Sequence, residues 1–459
     1  MIPMTITQIA EIVHGTLSHV TNLQQEIQSE AVIDSREAKP GTFFAALPGE
    51  HVDGHDFAQS SIESGADFAL VTRDVGVPSI IVPDVTKALA MLAHHLRERL
   101  PDLKVVAITG SQGKTTTKDL LEHILSADGQ CVANRGSLNN ELGVPLTLLR
   151  CTPETKYCVV EMGARHRGDI AHLMEIANPN VGLVLVVGKA HLGEFGSQAD
   201  IAEAKAELIA GLSDNSVAVL GSYDPFTPHM ADGLKLPVIN FGEKSECDVR
   251  AGDIEIREGR AHFDLVTPAG RQAVGLQLLG MHQVANALGA AAAATALNIS
   301  LETIAAALST AEVSSKWRMA LVEEDDLLLI NDSYNANPES VAAALRTLVM
   351  LAQERGGEAW AILGKMHELG ESTVVEHSAI GRLASYIGVD HLVAVGTKDY
   401  LQEIDAQSEM VEHYFSDVDQ ALEIVQHFAP GDIVLVKASR AEGFEKLAEQ
   451  IMSAWKARE

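Results

Sequence analysis

The segment ITGSQGKTTT, residues 108–117, carries the residue types that hold a nucleoside triphosphate. Gly110 and Gly113 let the backbone turn and point its N–H groups inward. The helix expected to start there adds a partial positive charge of about half a unit. Lys114 is spaced to reach the β and γ phosphates, and the Thr115 hydroxyl to hold Mg²⁺. Thr109, Ser111, Gln112 and Thr116 complete the loop expected around ATP. One departure stands out: the general pattern has glycine five residues before Gly113, where this chain has Ile108. A plain glycine-rich turn would not explain why an apolar strand, Lys-Thr and a helix follow one another here.

Three further side chains have types suited to metal and phosphate chemistry. Glu161 ends the apolar run YCVVEM, where a carboxylate is placed for a second Mg²⁺. His191 lies just past VGLVLVV, and Lys205 sits on the helix QADIAEAKAELIAGL between Ala204 and Ala206. Position alone leaves other readings open: a strand-end acid, a surface-loop histidine and a solvated helix lysine.

These residues need a frame. VVAIT (105–109), YCVVEM (157–162), VGLVLVV (181–187) and SVAVLG (216–221) read as buried strands alternating with helices, hence a parallel sheet covered on both faces. Residues 248–280 alternate apolar and polar positions, with turns at Glu258-Gly259 and Ala269-Gly270, as in an antiparallel meander. LLLIND, AWAILG, HLVAVG and DIVLVKA predict a Rossmann-like third region without a GxGxxG fingerprint. Residues 1–98 mix short strands and helices, and Pro101 stops a helix over about 85–99. The expected fold class is α/β in three domains: 1–100, 101–313 and 314–459.

The chain has 459 residues, 46% hydrophobic and 21% charged, the composition of an ordinary soluble globular protein. Its net charge of -29 repels nucleic acid and anionic membranes, so neither is an expected partner. The same charge opposes nucleotides, so local cations and backbone N–H groups must overcome it. The four cysteines form no CxxC pair and read as reduced thiols. No signal peptide or spanning segment is visible, and a cytoplasmic monomer is expected.

Taken in order along the whole chain, TGSQGKTTT, NRGSLNNELGVP, EMGA, AHLGEFGS, IAEAKAEL, GMHQVANAL, KWRM, NDSYNANPES, LGKMHELGE and VKASR resemble the Mur ligase family. NDSYNANPES with LGKMHELGE points to its dipeptide-adding branch. The resemblance implies an ATP-dependent ligase of peptidoglycan precursor synthesis. Its substrates would be a UDP-N-acetylmuramoyl tripeptide and D-alanyl-D-alanine, joined through an acyl phosphate. It implies two Mg²⁺ sites, with Thr115 at the first and Glu161, His191 and a CO₂-derived carbamate on Lys205 at the second. Lys114, His191, Lys205 and Arg318 become catalytic candidates. Asn286 becomes an adenine contact, and Arg318 and Asp332 contacts to phosphates and ribose. Ser35, Arg36, Asn139, Asn335 and Asn337 become substrate contacts, and Gly54, His55 and Asp56 weaker ones. Three departures from the family pattern are Gln283 for asparagine, GSYDPF (221–226) for Asn-x-Asp, and Ala438 for glycine. A folylpolyglutamate synthase, a single-amino-acid ligase, a P-loop kinase or motor and a non-enzymatic ATP-binding scaffold are the competing readings. None explains the uridine-type N-terminal region, NDSYNANPES, Lys205 and the Glu161–His191 pair together.

Overall fold

The computed structural model describes residues 1–49, 52–188, 192–312 and 315–458. Three main sheets carry the fold. The first has five short strands, with Glu30–Val32, Thr42–Ala45, Ala69–Val71 and Ser79–Ile81 parallel and Thr16–Ser18 antiparallel at one edge. Phe43 and Phe68 stack in its core with ring centroids 4.8 Å apart. The helix Val85–Glu98 leads to the second sheet. Its buried Arg97 donates to the carbonyls of Ala177 and Asn178, each at 3.1 Å, and so fastens that helix to the central layer.

The central sheet has nine strands. Lys104–Thr109 lies between Tyr157–Glu161 and Val181–Val184, parallel to both. The chain therefore leaves this strand toward one side and returns on the other. The carboxyl ends of such strands form a crevice where ligands bind. Glu161 is in register with Ile108 and Val184 with Thr109, so both neighbours end beside the phosphate loop. The strand expected over 181–187 stops at Val184. Beyond it the backbone peels off along the loop, where the Val186 carbonyl accepts the Ser111 N–H at 2.8 Å.

The meander is antiparallel, with strands Val249–Arg257, Arg260–Thr267 and Gly270–Leu279. Glu258 and Gly259 both have positive φ, 49° and 72°, as the tight hairpin turn requires. The alanine-rich helix Gln283–Ala296 packs against the phosphate-loop helix Lys114–Ser126. Ala287 and Ala290 to Ala294 are buried, and short side chains bring the two helix backbones close.

The third sheet has six strands, all parallel except the edge hairpin partner Ala320–Glu324. Ile433–Lys437 sits between Leu327–Asn331 and Ala359–Leu363, a second reversal of strand order. Asp332, Gly364 and Ala438, each just past one of these strands, thus share one end of the sheet. Ala438 is fully buried, and a Cβ on Gly364 would lie 2.8 Å from the Ala438 Cβ. The glycine therefore stands across from Ala438, at the place where the close approach is made.

The third domain closes onto the central one. The Gly193 N–H donates to the Glu368 carbonyl at 3.1 Å, and a Cβ on Gly193 would lie 2.8 Å from the Gly370 nitrogen. Gly193→Ala must therefore push the domains apart. We predict a fall in turnover of about 10- to 100-fold from the displaced third domain. The melting temperature should stay within about 2 °C, because Gly193 is exposed and outside every core. Steady-state kinetics with a thermal melt checks both.

Candidate active site

The cleft between the domains holds about 1650 Å³. Its floor is the phosphate loop. Gly110 and Gly113 adopt φ of 154° and 80°, and a Cβ on Gly113 would meet the Asn286 Oδ1 at 2.2 Å. Glycine is thus required there for conformation and for space. Ser111, Gln112, Gly113, Lys114, Thr115 and Thr116 line the cleft. The Thr109 hydroxyl does not: it is buried without a hydrogen-bond partner among the described residues. Lys114 Nζ donates to the Gly110 carbonyl at 2.7 Å, folding back over its own loop.

Thr115 is the meeting point. Its hydroxyl donates to Glu161 Oε2 at 2.9 Å and accepts from Arg318 Nη2 at 3.0 Å. The other Glu161 oxygen accepts from Asn139 Nδ2 at 2.7 Å. The Glu161 backbone N–H donates to Asn134 Oδ1 at 2.6 Å, fixing the strand end. Arg318 reaches in from the third domain. Its guanidinium lies over the Tyr334 ring, 4.0 Å from the centroid, and its Nε is buried without a hydrogen-bond partner among the described residues. The Asp332 carboxylate accepts the Met319 N–H at 3.1 Å and pairs with Lys437, which also donates to the Asn335 carbonyl at 2.9 Å. Asp332 is thereby the brace that holds the turn after Arg318.

Lys205 lines the same cleft and is 4% exposed. Among the described residues its ammonium has no ion-pair partner. Burial, then repulsion by Lys114, lowers its pKa to about 7. Lys114 is lowered as well, chiefly by burial and further by Arg318, against the opposing pull of Glu161. Three cations are thus held together where an anion would relieve them.

The structure does not bring every sequence candidate to the cleft. Asn139, Glu161, Lys205, Asn286, Arg318, Asp332, Asn335 and Asn337 line it; Ser35 and Arg36 do not. The Arg36 side chain is exposed and paired with Asp34. Gly54 and Asp56 also lie off the cleft. His55 is buried, bonded through Nδ1 to Asp53 at 2.6 Å, and its Nε2 accepts the Thr72 N–H at 2.9 Å, which is a structural role. Asn337 caps the helix Pro338–Arg355, its Oδ1 accepting the Ser340 N–H at 2.8 Å. His191 lies outside the described residues.

Sequence reasoning passed over Asp224. Its carboxylate accepts the N–H of Val187 at 2.8 Å, of Phe226 at 2.8 Å and of Thr227 at 2.9 Å. It ties the GSYDPF turn to the segment that runs to Gly188, whose N–H donates to Ser111 Oγ at 2.8 Å. An aspartate just after a strand, followed by proline, was the available signal.

The donors suit a hard divalent cation. Thr115 and Glu161 offer oxygen, and Glu161 is 1% exposed, a buried carboxylate that needs compensation. Among the described residues no three His, Cys, Asp or Glu side chains converge as a metal group. Mg²⁺ commonly takes only one or two protein carboxylates plus substrate phosphates, so this sparse set still fits.

Three family models match the chain: "Mur ligase family, catalytic domain" over residues 30–108, "Mur ligase middle domain" over 108–294, and "Mur ligase, glutamate ligase domain" over 317–440. The UDP-N-acetylmuramoyl-tripeptide–D-alanyl-D-alanine ligase of Mycobacterium tuberculosis is 39% identical over 99% of this chain and 98% of its own. That of Escherichia coli is 34% identical over 98% and 99%. Among solved structures, MurF from Acinetobacter baumannii superimposes with a TM-score of 0.87 at 36% identity, covering 98% of this chain and 99% of that one. MurF ligase from Thermotoga maritima in complex with ADP gives 0.81 at 27% identity, covering 94% and 99%. Similarity of this extent, running through all three domains, makes the chain a member of the Mur ligase family.

Proposed function

We propose that this protein is an ATP-dependent ligase that joins D-alanyl-D-alanine to a UDP-N-acetylmuramoyl tripeptide, releasing ADP and phosphate. The observation that carries the reading is the convergence on Thr115 of Glu161 from the central sheet and Arg318 from the third domain. A nucleotide-binding scaffold has no need of an arginine delivered by another domain. A ligase does, because charge on a phosphoryl group in transfer must be offset and water kept out.

The tripeptide's terminal carboxylate attacks the γ-phosphorus of ATP, and ADP leaves. Lys114 and Arg318 offset the charge that builds on the transferring group. The amine of the dipeptide then attacks the acyl phosphate carbonyl, loses a proton, and expels phosphate. No protein nucleophile is required; the chain's part is positioning and electrostatics. Mg²⁺, held by Thr115, Glu161 and phosphate oxygens, would supply Lewis-acid stabilisation of the phosphoryl oxygens. Lys205 fits the carbamate reading because only a neutral amine adds CO₂, and burial beside Lys114 favours the neutral form. The first domain is assigned to the uridine end and the third to the dipeptide.

Two measurements test this. In the presence of ATP, Mg²⁺, tripeptide and dipeptide, mass spectrometry should find the pentapeptide product with one phosphate released per bond. Phosphate release without the dipeptide at a comparable rate would favour a plain ATPase. Lys114→Ala should lower turnover at least about 10³-fold and Arg318→Ala about 10²- to 10³-fold.

The second uses stability. A lysine held near 7 in the fold and near 10.4 when unfolded binds fewer protons folded within that window. Stability therefore rises with pH there, by about 2 kcal/mol between pH 7 and 9. Urea midpoints in carbonate-free buffer should show this rise, and Lys205→Met should flatten it.

A further inference from the structure

The phosphoryl step needs the Arg318 guanidinium held in one plane, yet few bonds hold it. Nη2 donates to Thr115, while Nε is buried without a hydrogen-bond partner among the described residues. A guanidinium that turns from Thr115 to a phosphate gives up that hydrogen bond. The backbone around it is set within the third domain. Trp317 and Met319, on either side, have φ of 60° and 51°, which side chains of this size rarely adopt. Such a bend persists only where its surroundings hold it. The Trp317 carbonyl accepts the Tyr334 N–H at 3.0 Å, and the Met319 N–H donates to Asp332 at 3.1 Å. The Arg440 guanidinium covers the Trp317 ring at 4.3 Å. What orients the Arg318 side chain itself is the face of the Tyr334 ring, 4.0 Å away.

Tyr334 is in turn held from the other domain. Its hydroxyl is hydrogen-bonded to the Ser137 hydroxyl, and both side chains line the cleft. Ser137 lies in NRGSLNN, a motif in which Asn139 has a site role and the serine has none so far. The segment around it is fastened on two sides. Asn134 accepts the Glu161 N–H at 2.6 Å, and Asn139 donates to the Glu161 carboxylate at 2.7 Å. Arg135 pairs with Glu30 of the first domain at 2.7 Å. The serine is therefore a fixed point offered to the third domain, on the same segment that holds Glu161.

We propose that Ser137 and Tyr334 are positioning residues of the ligation: their hydroxyls join across the domain interface and hold the Tyr334 ring as the platform that sets the plane of Arg318. The pair is not used up when the guanidinium leaves Thr115 for phosphate oxygens, so it keeps the arginine aimed while charge is transferred. The inference rests on the ligase reading above.

The test uses the full-length protein with ATP, Mg²⁺, tripeptide and dipeptide, and ADP affinity by titration calorimetry. Ser137→Ala and Tyr334→Phe each remove one hydroxyl and leave the ring. Each should lower kcat about 5- to 20-fold, as a displaced catalytic group does. ADP affinity should stay within about twofold and the melting temperature within about 2 °C, because the phosphate loop and the cores are untouched. The double variant should be no slower than either single one, since both lose the same contact. In an Arg318→Ala background neither substitution should slow ligation further. Unchanged kcat in the single variants overturns the proposal, as do additive losses in the double variant. A further loss in the Arg318→Ala background overturns it by showing that the hydroxyls act through another group. ADP affinity falling in step with kcat overturns it too, since the defect would then lie in the phosphate loop. If the unmodified protein makes no pentapeptide, the ligase reading falls and takes this inference with it; if it does and the variants match it, only this inference falls.

Discussion

The contact from Arg318 to Thr115 is the constraint on which the arrangement depends. One partner stands at the first turn of the phosphate-loop helix and the other on the third domain. The hydroxyl also donates to Glu161, so a single side chain links loop, central sheet and third domain. Everything around it serves to hold these partners in reach. Asp332 and Lys437 brace the turn after Arg318, Tyr334 lies beneath its guanidinium, and Gly193 meets the Glu368 carbonyl where the domains touch. A loosened brace would cost activity before it cost stability, because a catalytic group displaced by about 1 Å loses much of its effect.

The electrostatics follow the same design. The chain as a whole is strongly acidic, yet Lys114, Lys205 and Arg318 are gathered at one end of the central sheet. Screening confines the bulk charge to roughly 8–10 Å in physiological salt. Inside the cleft, low polarity makes each nearby cation count for more. Burial first, and then repulsion from a neighbouring cation, holds the pKa values of Lys114 and Lys205 below the usual lysine range. Bound phosphates would relieve that repulsion. Both reversals of strand order point their carboxyl ends at this place, which is why two domains can furnish one site.

Much of this was legible in the sequence wherever the signal is local. A buried strand running into TGSQGKTTT and a helix is a short-range pattern, and so are the alternating meander and the glycine turn at 259. The α/β class followed from strands and helices taking turns. What escaped depends on tertiary contacts. Nothing in QADIAEAKAELIAGL tells that Lys205 is buried, since the helix has polar residues on most of its faces. His55 has a site-like type and motif position, but its ring bonds to Asp53 and Thr72 within the first domain. Asp224 was hidden for the opposite reason: it lies in a segment that departs from the family pattern, so the resemblance had no role to lend it. The strand ending at Val184 was overextended because apolar residues continue to Val187, where they pack beside the loop rather than in the sheet.

The central claim is that the phosphate loop and Arg318 aim the γ-phosphate at a carboxylate and not at water. It can be tested by labelling both terminal carboxylate oxygens of the tripeptide with ¹⁸O and following one round of ligation. The account predicts one ¹⁸O in each phosphate released, carried over when the amine expels it from the acyl phosphate. Phosphate free of label, with both ¹⁸O atoms accounted for elsewhere, would mean that water attacks ATP and would contradict it.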